Sequence, residues 1–193
     1  MVGLMRTINL LRSLGFRVQV WVRRRGRPKK GNLLPPTPVL GIDAGANLGV
    51  CIGCNRWVVL GYAHKPDNDD LALTVHTIIK RLKPTVVGIE TAYCPAYETI
   101  VKTGVIYGAV VLVEPKPQVV WVLPHRKPSF TTIKRPTDRR DAFFDHITRW
   151  FEMVANDIHH AGHQQHPVSA YGVVLSVCGG TKTPHQSSKG VKG

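Results

Sequence analysis

The stretch Val39-Leu40-Gly41-Ile42-Asp43-Ala44-Gly45-Ala46-Asn47-Leu48-Gly49-Val50-Cys51-Ile52-Gly53-Cys54 decides the fold. It is apolar at both ends and bends at Gly45-Ala46-Asn47, which reads as strand, turn, strand. Arg56 to Ala63, rich in Val, Leu, Trp and Tyr, is the next strand. Asp69 to Leu82 places Leu71, Leu73, Val75, Ile78, Ile79 and Leu82 at helical spacing, with acids first and Lys80 and Arg81 last, as a helix dipole favours. Thr85 to Glu90 is a short buried strand that ends in an acid. Ala96 to Val113 reads as a helix with Gly104 and Gly108 spaced for close packing, and Gln118 to Leu123 as another strand. Pro136 to Val154 reads as a helix, and His166 to Cys178 as a buried final helix. Three strands followed by alternating helices and strands make an α/β protein with a mixed sheet.

Charge divides the chain into three parts. The net charge is +14 over 193 residues, from 26 Lys and Arg against 12 Asp and Glu. The first 42 residues hold nine basic residues and no acid, and the last thirteen hold Lys182, Lys189 and Lys192 and no acid. The expected organisation is therefore a basic N-terminal arm and linker (1–37), one domain (38–180) and a flexible basic tail (181–193). Such an excess calls for a polyanionic partner, with nucleic acid as the default. In the arm, Met5, Ile8, Leu10, Leu11 and Leu14 fall on one helical face, and Arg23, Arg24, Arg25, Arg27, Lys29 and Lys30 form a basic run. Its Arg-Gly-Arg-Pro core resembles an AT-hook, a segment that lies in the minor groove of A·T-rich DNA. A solvated linker or an organellar presequence would carry the same composition. Cytoplasm or nucleoid is the expected compartment, and an organelle the alternative if residues 1–30 include a presequence. No apolar run reaches the ~18 residues of a membrane helix. Four cysteines do not make a disulfide scaffold and suit a reducing compartment.

Two acids sit where strands place few. Asp43 follows Gly41-Ile42 and Glu90 follows Gly88-Ile89, each at the end of an apolar strand. A buried carboxylate must be paired, protonated or bound to metal. Either acid alone reads as a salt-bridged strand end. The repeat of the same step argues for a shared site, where carboxylates on neighbouring strands would hold Mg²⁺ and hydrolyse a phosphodiester.

These residues resemble the RuvC-like Holliday-junction resolvases. Gly41-Ile42-Asp43-Ala44-Gly45 is similar to the family's first strand, usually Gly-Ile-Asp-Pro-Gly, and Val87-Gly88-Ile89-Glu90 to the strand of its second acid. Thr103-Gly104-Val105-Ile106-Tyr107-Gly108-Ala109 is similar to the helix that follows. Lys134 to Phe151 lies where the family has a basic loop and helix, and His166 to Leu175 where it has its last helix. The resemblance spans roughly residues 38–178. It implies an RNase H-like mixed β-sheet flanked by helices, Mg²⁺ or Mn²⁺ as cofactor, branched DNA as substrate, a homodimer and 5′-phosphate products. It assigns Asp43 to anchor the metals, Glu90 to hold one and position water, and His166 to add a ligand or assist proton transfer. Arg126, Lys127, Lys134 and Arg135, in the loop before Asp138, would grip phosphates, and Tyr93 and Tyr97 would wedge a base or simply pack. Three places depart from the pattern: Ala44 replaces the usual Pro, His166 stands where the family uses Asp or His, and Ser169 stands where the family has Asp. A hydroxyl is a poor Mg²⁺ ligand beside a carboxylate. The chain is then either an endonuclease with a reduced constellation or a catalytically degenerate RuvC-like protein that holds nucleic acid in a nucleoprotein assembly.

Weaker signals remain. Asp138 and Asp141, or Asp157, could substitute for the missing acid. His159, His163 and His166, with His160 beside them, could form a transition-metal face, against a solvated His-rich loop. Cys51-x-x-Cys54 lacks a second pair, so its thiols read as ordinary, and Cys94 and Cys178 read as buried and neutral.

Overall fold

The computed structural model describes residues 2–24, 33–45, 47–91 and 97–179. Seven strands form one mixed sheet: β1 (Arg17–Arg23), β2 (Val39–Ala44), β3 (Leu48–Cys54), β4 (Trp57–Ala63), β5 (Val86–Glu90), β6 (Gln118–Val122) and β7 (Phe151–Asn156), in the order β6-β5-β2-β3-β4-β1-β7. β2, β5 and β6 run parallel, and the other pairings are antiparallel. Alternate residues face opposite sides of a strand, and each side has its own core. Ile42, Val50, Val59 and Ile89 pack against α1 (Val2–Ser13), α2 (Asn68–Leu82) and α3 (Tyr97–Val111). Val39, Cys51, Leu60 and Trp21 pack against α4 (Pro136–Ile147) and α5 (Ala161–Gly179).

Helix α2 shows why its sequence folds there. The Asp67 side chain accepts from the Asp70 N–H, and Lys83, in the left-handed conformation, closes the helix by donating its N–H to the Ile79 carbonyl. Leu71, Val75, Ile78 and Ile79 are its buried stripe.

Three expectations need correction. Residues 2–24 are not an arm. Helix α1 buries Leu11, and β1 lies between β4 and β7 with Val18, Val20 and Trp21 shut from solvent. Loss of this segment, as a presequence is lost, would take the interior strand β1 from the sheet. The helix expected over 136–154 ends at Ile147, and Phe151–Asn156 is a strand that borders β1. Three of its residues, Glu152 to Val154, are exposed in succession, so it shows no period of two. Gly104 and Gly108 do not mark a close packing among the described residues, since an added Cβ would meet none of their atoms within 4 Å at either position. Within α3, Tyr97, Ile100 and Tyr107 are instead exposed.

Glycine matters most beneath α5. A Cβ on Gly49 would lie 2.3 Å from the His166 carbonyl oxygen and 2.7 Å from the Pro167 nitrogen, and one on Gly41 would lie 2.4 Å from the Ala170 carbonyl oxygen. These are backbone atoms of α5, which therefore rests directly on the strands. Gly49→Ala should push α5 away and destabilise the protein by about 2 kcal/mol. For a chain of this size that lowers the Tm by roughly 4–8 °C. Thermal unfolding followed by circular dichroism checks this, and an unchanged Tm would refute the close approach.

Candidate functional site

Asp43 and Glu90 end up side by side. Ile42 pairs with Ile89 across the parallel strands β2 and β5, so the next rung carries the two acids. Gly41, Gly49 and Gly88 turn toward α5, and period two puts Asp43 and Glu90 on that same face. The two acids thus sit at the carboxyl ends of parallel strands, and each side chain is only 15% exposed.

Helix α5 supplies the next pair from residues three apart, which share one helical face. His166 Nδ1 lies 3.0 Å from Asp43 Oδ2, and Ser169 Oγ donates to Glu90 Oε2 at 2.8 Å. Lys127 completes the group from the turn after β6. Its ammonium donates to Glu90 Oε1 and to Ser169 Oγ, both at 2.5 Å. The Lys127 side chain is 4% exposed, so it is a member of this cluster and not the surface phosphate grip expected of it. Arg139 of α4 approaches the same place. Its Nε donates to the Ile133 carbonyl, and burial lowers its pKa while the charges of Asp43 and Glu90 hold it up. The pKa of Glu90 is raised, first by burial and then by the Asp43 charge, against the opposing pull of Lys127 and Ser169.

The donors do not fit two bridged metal ions. Both Glu90 oxygens are engaged, one by an ammonium, and an ammonium repels a cation placed next to it. Among the described residues no group of three or more His, Cys, Asp or Glu side chains is arranged to hold a metal. Asp43 and His166, a carboxylate and an imidazole in contact, are the pair on which a single divalent ion could rest.

The other expected residues scatter. Asp138 pairs with Arg135, Asp141 with Arg140 and Asp157 with Arg12, so none of them replaces the missing acid. The histidines separate: His166 turns to Asp43, His163 stacks on Tyr62, and His159 and His160 are exposed. Cys51 and Cys54 are free thiols buried within β3, and Cys178 is half-buried. Arg126, Lys134 and Arg135 are exposed. Arg24 is exposed, and Arg23 bonds the Asn55 carbonyl across the sheet edge. Arg25, Arg27, Lys29, Lys30, Tyr93, Cys94 and the 181–193 tail lie outside the described residues. Tyr97 projects into solvent, 82% exposed. The roles of Lys127 and Arg139 escaped the sequence reading. The one signal for Lys127 was Ser169 itself, an uncharged residue where a carboxylate was expected.

The fold as a whole is similar to that of solved structures. The structure of Thermus thermophilus RuvC superposes with a TM-score of 0.52 at 15% identity, over 72% of this chain and 92% of that one. The chain has the RuvC fold. T. thermophilus RuvC in complex with Holliday junction substrate matches with a TM-score of 0.46 at 16% identity, over 72% and 91% of the two chains. The yeast mitochondrial Holliday junction resolvase Ydc2 matches with a TM-score of 0.46 at 13% identity, over 75% and 80%. No protein-family model and no curated protein matches the sequence. The mixed sheet flanked by helices expected from Gly41-Ile42-Asp43 is thus the observed architecture. No helix among the described residues is long and apolar enough to cross a membrane.

Proposed function

We propose that the chain is a divalent-metal-dependent endonuclease that acts on four-way DNA junctions. One observation carries this reading: Asp43, Glu90, His166 and Ser169 converge from two strands and one helical turn on a single half-buried spot, with Lys127 and Arg139 beside them. Buried acids cost stability unless they are used or neutralised. Here the cluster sits where the RuvC-like sequence pattern puts its acids.

Asp43 and His166 would hold one Mg²⁺ or Mn²⁺. Such an ion, when bound, acidifies a water and neutralises charge on the phosphate. The chain's own residues do the rest. Asp43 fixes the orientation of the His166 imidazole through Nδ1, which leaves Nε2 as the nitrogen that would face the ion. Lys127 keeps Glu90 neutralised, and Arg139 adds positive charge where a phosphodiester would enter. The exposed Arg126, Lys134 and Arg135 position the backbone without reading sequence. Symmetric cutting of a junction needs two sites, so the reading includes a homodimer.

The Lys127–Glu90–Ser169 contact favours a second reading, a RuvC fold kept for holding nucleic acid without cutting. Incubation of a labelled four-way junction with Mg²⁺ or Mn²⁺ separates the two. Paired symmetric nicks by the wild-type chain are expected. Binding without nicks overturns the nuclease, and nicks that arise only in Ser169→Asp establish the second reading.

A further inference from the structure

A second polar cluster lies on the same face of the sheet as the acids. Asp43 pairs with Gly49, Gly49 with Tyr62, and Tyr62 with Arg17, so one row crosses β2, β3, β4 and β1. Paired residues point to the same face, and this row faces α5. Strands are about 4.8 Å apart, which puts Tyr62 about 10 Å and Arg17 about 14 Å from Asp43 along the row. Helix α5 follows the row from above. Its His166 touches Asp43, and one turn earlier His163 stacks on Tyr62 with ring centroids 4.6 Å apart.

At the far end of the row, Gly15, Arg17, Tyr62, His64 and His163 line an open pocket of about 400 Å³. His160 leans on His163 at 5.3 Å, and the Tyr62 hydroxyl lies 3.3 Å from His64 Nδ1. Among the described residues no acid lines the pocket. Among the described residues no carboxylate pairs with Arg17, and the adjacent Asp157 is held by Arg12. The pKa of His163 is lowered, first by burial and then by the positive charges of Arg17, His160 and His64. The pocket also sits at the N-terminal end of α5, a 19-residue helix whose first N–H groups and dipole favour an anion. Groups that repel one another and lack a counter-charge are the expected signature of an absent anion.

We propose that this pocket is a phosphodiester subsite that holds the backbone of the bound strand beyond the acid cluster. It rests on the reading of the chain as a protein of branched DNA and adds a specific contact to it. A strand winds about its axis as it rises, so successive phosphates lie about 6–7 Å apart and 10–14 Å corresponds to a phosphate about two nucleotides from the bond at Asp43. Tyr62 and His163 offer a stacked wall, while Arg17 and His64 meet the phosphate oxygens.

The test is binding of a fluorescein-labelled four-way junction across a salt series, with wild type, Arg17→Gln, His163→Gln and the control Lys80→Gln on α2, against the opposite face of the sheet. Arg17→Gln should weaken binding about tenfold at low salt and reduce the slope of log K against log[salt] by about 0.9, while Lys80→Gln matches wild type. A single neutral methylphosphonate, moved along the strand, should reproduce this loss about two nucleotides from the acid cluster and add nothing in Arg17→Gln. If wild type binds the junction and both pocket variants keep its affinity and slope, the subsite is wrong and the functional reading stands. If wild type binds no nucleic acid, both are wrong. Inorganic phosphate is the third probe. Should it shift the His163 ring signals saturably while junction binding ignores both substitutions, the pocket serves a free anion and the strand subsite is overturned.

Discussion

Asp43→Asn should reduce junction cleavage by about three orders of magnitude, equivalent to roughly 4 kcal/mol of transition-state stabilisation. The substitution keeps the shape of the side chain and removes its charge. It leaves an amide to face His166 Nδ1 in place of a carboxylate, so the imidazole loses the partner that fixes its tautomer and orientation. The same change removes the carboxylate on which a divalent ion would rest. Junction binding should change little, because phosphate contacts on the exposed basic residues do not involve Asp43. Single-turnover cleavage with Mn²⁺, read beside fluorescence anisotropy, checks both halves. Cleavage within tenfold of wild type would remove Asp43 from the chemistry.

Lys127→Met should destabilise the fold by about 3 kcal/mol at neutral pH. The ammonium is nearly enclosed, and its removal leaves Glu90 as a largely buried carboxylate with only Ser169 and its neighbours to bond it. The effect carries a pH signature. The pKa of Glu90 is already raised in the folded protein, with burial as the first cause, and loss of Lys127 raises it further. A carboxyl with a raised folded pKa binds its proton more tightly when folded. Its contribution is therefore most favourable below the unfolded value near 4.5, and stability is lost as pH rises through the folded pKa. The Tm difference between Lys127→Met and wild type should accordingly widen from pH 5 to pH 8. The double variant Lys127→Met/Glu90→Gln should recover much of the loss, because no buried charge remains to be desolvated. A Tm difference constant with pH would mean that Lys127 supports the fold by packing alone.

Both predictions concern one arrangement. Where a carboxylate would balance metal charge, Ser169 brings a hydroxyl, and the acid left behind, Glu90, is balanced by an ammonium from 37 residues further along the chain. The cluster is thus electrically satisfied without any ion bridging both acids. That makes the cleavage assay with Ser169→Asp informative, since it would return an acid beside Lys127 and Glu90.

Local sequence determined a good deal of this protein. The bend at Gly45, the apolar runs of β3 and β4, the capped stripe of α2 and the short run Val86–Glu90 all follow from local hydrophobic pattern and turn chemistry, which act over a few residues. The repeated Gly-Ile-acid step also determined that Asp43 and Glu90 would be neighbours, because two buried parallel strands that end in acids can share a rung. Tertiary structure alone decided the rest. Residues 17–23 looked like part of a basic arm because their flanks are charged, and only β4 and β7 on either side turn Val18, Val20 and Trp21 into core. The exposed run Glu152–Val154 became a strand because β1 offered it an unpaired edge. The histidines at i, i+4 and i+7 parted company because the strands beneath α5 present Tyr62 to one and Asp43 to another. Lys127 left the surface for the same kind of reason. A charge goes where its counter-charge is buried, and the distance in space between Glu90, Ser169 and Lys127 is set by the packing of α5 on the sheet, which no local pattern in the chain records.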